Sequence, residues 1–98
     1  VTVNIVADTG PSAYQPNPVS ANIGDTIAFK NNGGTTHHIV MDDGSADFGA
    51  LAPGQTSQTV TLQKATGKFH CTIHSSMVGS INAPVPEPPP CNNPGYCD

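Results

Sequence analysis

The chain has 98 residues and a formal net charge of −4 at pH 7, with seven carboxylates set against Lys30, Lys64 and Lys68 and no arginine. That length suits one domain with a modest core, and recognition of nucleic acid through its phosphates, which needs clustered Lys and Arg, is excluded. No apolar run approaches the roughly 18 to 20 residues of a membrane-spanning helix.

From the first residue the apolar period is two. Val1, Val3 and Ile5 alternate with Thr2 and Asn4, Ile27 and Phe29 with Thr26 and Ala28, and His37, Ile39 and Met41 with His38, Val40 and Asp42. In chain order the pattern predicts strands near 2–7, 18–22, 25–31, 37–42, 57–63, 67–71 and 79–84, with 43–56 a long loop holding at most one helical turn. Turn residues such as Thr9-Gly10-Pro11, Asn31-Asn32-Gly33-Gly34 and Pro53-Gly54 punctuate them at the spacing of a sandwich or barrel. After Ala83 the composition changes to Pro84-Val85-Pro86-Glu87-Pro88, which cannot donate a regular ladder. The expected organisation is one domain over 1–84 and an extended, proline-rich tail over 85–98.

One short run can do chemistry. Cys71-Thr72-Ile73-His74-Ser75-Ser76-Met77 places a thiolate, an imidazole and a thioether in one turn. Two His and one Cys with a weak axial Met make a blue-copper centre, so the run lacks one His, and His37-His38 lies upstream. Parity chooses between them. On the strand near 37–42, His37 shares a face with Ile39 and Met41, whereas His38 shares one with Asp42. On the strand near 67–71, Phe69 and Cys71 point one way and Lys68 and His70 the other. His37 is the better ligand, while His38 and His70 read as solvated residues and Asp42-Asp43 as a turn. Of three cysteines, Cys91 and Cys97 remain, flanking Asn93-Pro94-Gly95. That turn favours a local disulfide in an oxidising compartment, with free or intermolecularly paired thiols as the alternative.

The stretch Asn31 to Asp43, then Leu51-Ala52-Pro53-Gly54-Gln55, Thr59-Val60-Thr61-Leu62, Gly67 to Cys71 and Met77-Val78-Gly79-Ser80-Ile81, resembles the small cupredoxins of plastocyanin and amicyanin type over roughly residues 1–83. The C-x2-H-x2-M spacing is that of the short amicyanin loop. The resemblance implies an all-β Greek-key sandwich of about seven to eight strands, one copper cycling between Cu(I) and Cu(II), and His37, Cys71, His74 and Met77 as its ligands. The family usually places Asn after the first His, tied to a hydroxyl residue after the Cys. Here those positions are His38 and Thr72. An aromatic residue usually precedes the Cys, and here it is His70.

The expected function is one-electron transfer between larger redox proteins, such as cytochromes or a copper- or quinone-dependent oxidoreductase, with half-exposed His74 as the electron port. Catalytic metal sites keep a position open, and four protein ligands leave none. With four His in all, a trinuclear oxidase cluster is excluded. A copper domain of a longer redox enzyme or surface-anchored protein, and a copper-holding or delivery protein, are the alternatives. The expected protein is a monomer exported to a periplasmic, thylakoid-lumen-like or extracellular space, with any signal peptide already removed ahead of Val1.

Overall fold

The computed structural model describes residues 1–74 and 76–87. Among them eight strands follow one another: β1 (Thr2–Ile5), β2 (Tyr14–Gln15), β3 (Thr26–Asn31), β4 (His37–Met41), β5 (Asp47–Leu51), β6 (Val60–Thr61), β7 (Gly67–Cys71) and β8 (Val78–Ile81). One sheet has the order β2-β1-β3-β6 and the other β5-β4-β7-β8. Among the pairings of these strands β1–β3 is parallel and the others are antiparallel. The chain changes sheet at β3–β4, β5–β6 and β6–β7, which makes the Greek-key sandwich that the sequence implies.

Alternation builds the core. Val3 and Ile5 of β1, Ile27 and Phe29 of β3, Ile39 of β4 and Phe69 of β7 turn inward and are buried. Four rings drawn from both sheets meet edge to face. Phe69 lies 4.9 Å from Tyr14 and 5.1 Å from Phe29, and Phe29 lies 4.7 Å from Phe48, centroid to centroid. Each such pair contributes roughly 0.5–1.5 kcal/mol beyond its buried area.

Several expected elements differ. The expected 43–56 loop contains β5, whose period is broken by one extra residue. Across from it, β4 advances two residues from His38 to Val40 while β5 moves three, from Ala50 to Asp47. Gly49, at φ +80°, lies in this bulge, so Phe48 and Leu51 are both buried although three apart. The strand expected over 18–22 is a single bridge from Val19 to Ile81, because Pro16 and Pro18 have no N–H to donate. Of 57–63 only Val60–Thr61 is regular, since Ser57 Oγ takes the Phe29 N–H at 2.8 Å in place of a ladder bond. The last strand ends at Ile81, not 84. Asn82 turns left-handed at φ 54°, and its amide group donates to the carbonyls of Ala21 (2.6 Å) and Ala65 (2.9 Å). The only helical turn among the described residues is a 3-10 turn at Pro11–Ala13, outside the 43–56 segment. Residues 84–87 have no regular structure, and the expected pair Cys91 and Cys97 lies outside the described residues.

Candidate metal centre

The two strands that carry the first ligand and the thiol are neighbours. In the β4–β7 register Ile39 faces Cys71 and Val40 faces His70. His37 and Cys71 both point inward, with exposures of 0% and 1%, while His38, Val40 and His70 are only half-buried on the outer face. Cys71 Sγ lies 3.8 Å from His37 Nδ1 and 3.6 Å from His74 Nδ1. The two imidazoles are 4.7 Å apart between centroids. All three donor atoms fall within 4.8 Å of one another. A trigonal centre with M–N and M–S bonds of roughly 2.0–2.1 and 2.3 Å sets its N and S donors roughly 3.7 Å apart, so these residues fit a His2Cys metal ion.

The loop after Cys71 is closed on itself. Cys71 N donates to Met77 O (3.0 Å), and Met77 N donates to His74 O (3.0 Å). Met77 is fully buried, and its carbonyl also accepts the Tyr14 hydroxyl at 3.0 Å. Burial pushes the Tyr14 phenol far above its ordinary value, so it remains a donor. Ser76 Oγ accepts the Gly10 N–H at 2.9 Å, which ties the loop to the β1–β2 connection.

Each histidine away from the loop meets a carboxylate. His37 Nε2 is 2.8 Å from Asp8 Oδ1, so the ring proton sits on Nε2 and the Nδ1 lone pair faces Cys71. Burial pulls the His37 imidazolium below its ordinary value and keeps the ring neutral, and Asp8 opposes that shift only in part. The same bond, chief among several, holds the Asp8 carboxyl below the usual range. On the outer face His38 Nε2 is 2.6 Å from Asp47 Oδ1, leaving Nδ1 to accept the Thr72 hydroxyl at 3.1 Å. Thr72 N donates to His38 O at 2.9 Å. The two ligand strands are thus bridged by His38 and Thr72 side chains as well as by backbone. His70 pairs with Asp42 on the same outer face.

Three contributors carry no sequence signal of their own. Asp8 sits in what reads as turn punctuation. Tyr14 opens a two-residue strand, too short for a period. Asn31, wholly buried, shapes the turn before β4 by donating to Thr35 O and Leu51 O, each at 2.8 Å.

The model of the copper-binding plastocyanin/azurin family matches residues 1–83. Plastocyanin of Vicia faba is 34% identical over 96 residues, covering 83% of this chain and 97% of that protein. A purple cupredoxin from Nitrosopumilus maritimus superposes with a TM-score of 0.71 at 18% identity, over 83% of this chain and 96% of the other. A reduced mutant form of amicyanin gives a TM-score of 0.66 at 18% identity, over 83% and 78%.

Proposed function

Because the chain belongs to the plastocyanin/azurin family of copper-binding proteins, we propose that His37, Cys71 and His74 are the strong copper ligands, Met77 the weak axial one and His74 the electron port. The protein transfers single electrons at a type 1 copper centre, and bound copper supplies the Cu(I)/Cu(II) couple. The observation that carries the ligand assignment is the convergence of two imidazole Nδ1 atoms on one buried thiol.

The residues around the site hold it still. His37 is fixed at its outer nitrogen by Asp8, and Cys71 by its own N–H, by β4 and by the Thr72–His38 bridge. Met77 is fixed through its carbonyl by Tyr14. A ligand set held in place this way lowers the reorganisation that accompanies electron gain or loss. His74 is only half-buried and stands beside Ile73, an exposed apolar side chain. That edge suits brief contact with a larger redox protein.

The four proposed ligands leave no position on copper open for substrate, which supports reading the chain as an electron carrier rather than an enzyme. No helix among the described residues is long and apolar enough to cross a membrane. Export to an oxidising space fits the Cys91 and Cys97 spacing. The copper domain is 1–84, with 85–98 an appendage. The copper-loaded, oxidised protein should show an intense thiolate-to-copper band near roughly 600 nm, and Cys71→Ser should remove it. A colourless wild type, or a blue Cys71→Ser variant, would refute the assignment.

A further inference from the structure

Asp8 belongs to neither sheet. It follows β1 in the connection to the 3-10 turn, 29 residues before His37, yet its carboxylate meets the outer nitrogen of that ring at 2.8 Å. The same oxygen, Oδ1, receives the Gly34 N–H (3.1 Å), the Thr35 N–H (3.3 Å) and the Thr35 hydroxyl (3.1 Å), and Oδ2 lies 3.2 Å from Gly34 N. Thr35 Oγ1 is in turn 3.5 Å from His74 Nε2, at the long edge of a hydrogen bond. The outer edges of both imidazoles therefore lead to one carboxylate.

The approach depends on an absent side chain. A Cβ at Gly33 would stand 2.5 Å from Asp8 Oδ1 and 3.1 Å from His37 Nε2. The His37 ring is wholly buried, whereas Asp8 is 35% exposed, so the carboxylate reaches in from the rim and brings its negative charge to a ring that water does not touch. A carboxylate behind a metal-bound imidazole orients the ring, raises its donor strength and lies closer to a cation than any bulk counterion.

From this geometry we infer that Asp8 is the positioning residue for His37 and that its charge favours the oxidised centre, setting the reduction potential below what a neutral hydrogen-bond acceptor at the same place would give. The inference rests on His37 being a ligand. Oxidised copper carries one more positive charge than reduced copper, so a fixed anion reached through His37 favours Cu(II) over Cu(I). A purely structural Asp8 would instead serve as a clasp for the Gly34 and Thr35 amides and leave the potential alone.

Asp8→Asn retains an oxygen acceptor and removes the charge. In the copper-loaded full chain at neutral pH, its Cu(I)/Cu(II) ratio at a fixed applied potential should rise roughly tenfold over wild type, the low end of what loss of such a partner does to metal affinity. For one electron, tenfold is about 59 mV upward. Asp8→Ala, which needs no new hydrogen bond, reads the same loss of charge if the Asn variant does not fold. In the reduced, diamagnetic protein its His37 Nε2–H should also exchange with water faster, having lost its acceptor. Asp43→Asn, just beyond the far end of β4, controls for net charge and should change the ratio less than about threefold. A change below about threefold in the Asp8 variants, or one matched by the Asp43 variant, overturns the inference. A wild type with no band near roughly 600 nm would instead bring down the ligand assignment itself.

Discussion

Gly79 is the most demanding position in the core, and replacing it with Ala tests how firmly the ring cluster is packed. In the β7–β8 register it faces Phe69. A Cβ there would stand 2.4 Å from two carbons of the Phe69 ring and 3.1 Å from Asn17 Oδ1. Ordinary contact begins at 3.4 Å, so ring and strand must part by about 1 Å. The ring has little room to move: Phe69 is wholly buried, with Tyr14 and Phe29 edge-on against it. Overpacking of this kind costs roughly 1–3 kcal/mol, while the entropy gained by removing a strand glycine returns only about 0.5–1. The clash wins, and Gly79→Ala should be less stable by about 1–2 kcal/mol, a fall in melting temperature of roughly 4–16 °C for a domain this size. Thermal unfolding followed by circular dichroism measures it. Pairing the change with Phe69→Leu, which removes the obstructing ring atoms, should cost less than the two single losses together. A Gly79→Ala protein as stable as wild type, or a double variant whose losses simply add, would refute the packing argument.

On the outer face, His38→Ala removes the bridge to Thr72. It should cost about 0.5–1.5 kcal/mol of stability while leaving the visible band in place; a variant that binds copper without colour would place His38 among the ligands. Deleting residues 86–98 should leave the copper spectrum unchanged, since the last regular pairing ends at Ile81 and the last described side-chain bond at that end is Ser80 to Ala83 O. A bleached or unfolded truncation would move the domain boundary into the tail. In the chelator-stripped protein, His37 makes stability depend on pH. Its folded value lies below 6.5, so the unfolded chain takes up a proton that the folded one refuses, and stability declines as pH falls from 6.5 toward the folded value. The slope reaches at most about 1.4 kcal/mol per pH unit. Asp8, also depressed, adds a further loss only below 3.8. Urea unfolding at pH 7.5 and 5 should show a larger drop for wild type than for His37→Gln, and equal drops would show that His37 is not held neutral by burial.

What the sequence reveals of this protein depends on whether a regular period carries it. Along β4 and β7 the alternation is unbroken, and counting by twos puts His37 and Cys71 inside and His38 and His70 outside, as their exposures show. Along β5 the bulge at Gly49 shifts the count by one, so a buried strand reads as a loop. Near Val19 and Ser57 the pairing continues without a period, through a lone bridge in one case and a serine hydroxyl in the other. Spacing brings the thiol, His74 and Met77 into one turn because they are local. Asp8 and Tyr14 reach the site across 29 and 63 residues, and no local pattern encodes such a meeting.

The order in which these parts leave the ribosome has a consequence for copper. A chain is made from its N-terminus, so Asp8, Tyr14 and His37 emerge before Cys71, His74 and Met77. Until Cys71 is made, a nascent chain offers only His37 of the four proposed ligands; until Met77 has closed the turn onto Cys71 N and received the Tyr14 hydroxyl, the others have no fixed frame. A half-made molecule therefore lacks the complete ligand set. Colour in the oxidised state then reports on the whole chain: a molecule that turns blue has brought its first-made and last-made ligands together.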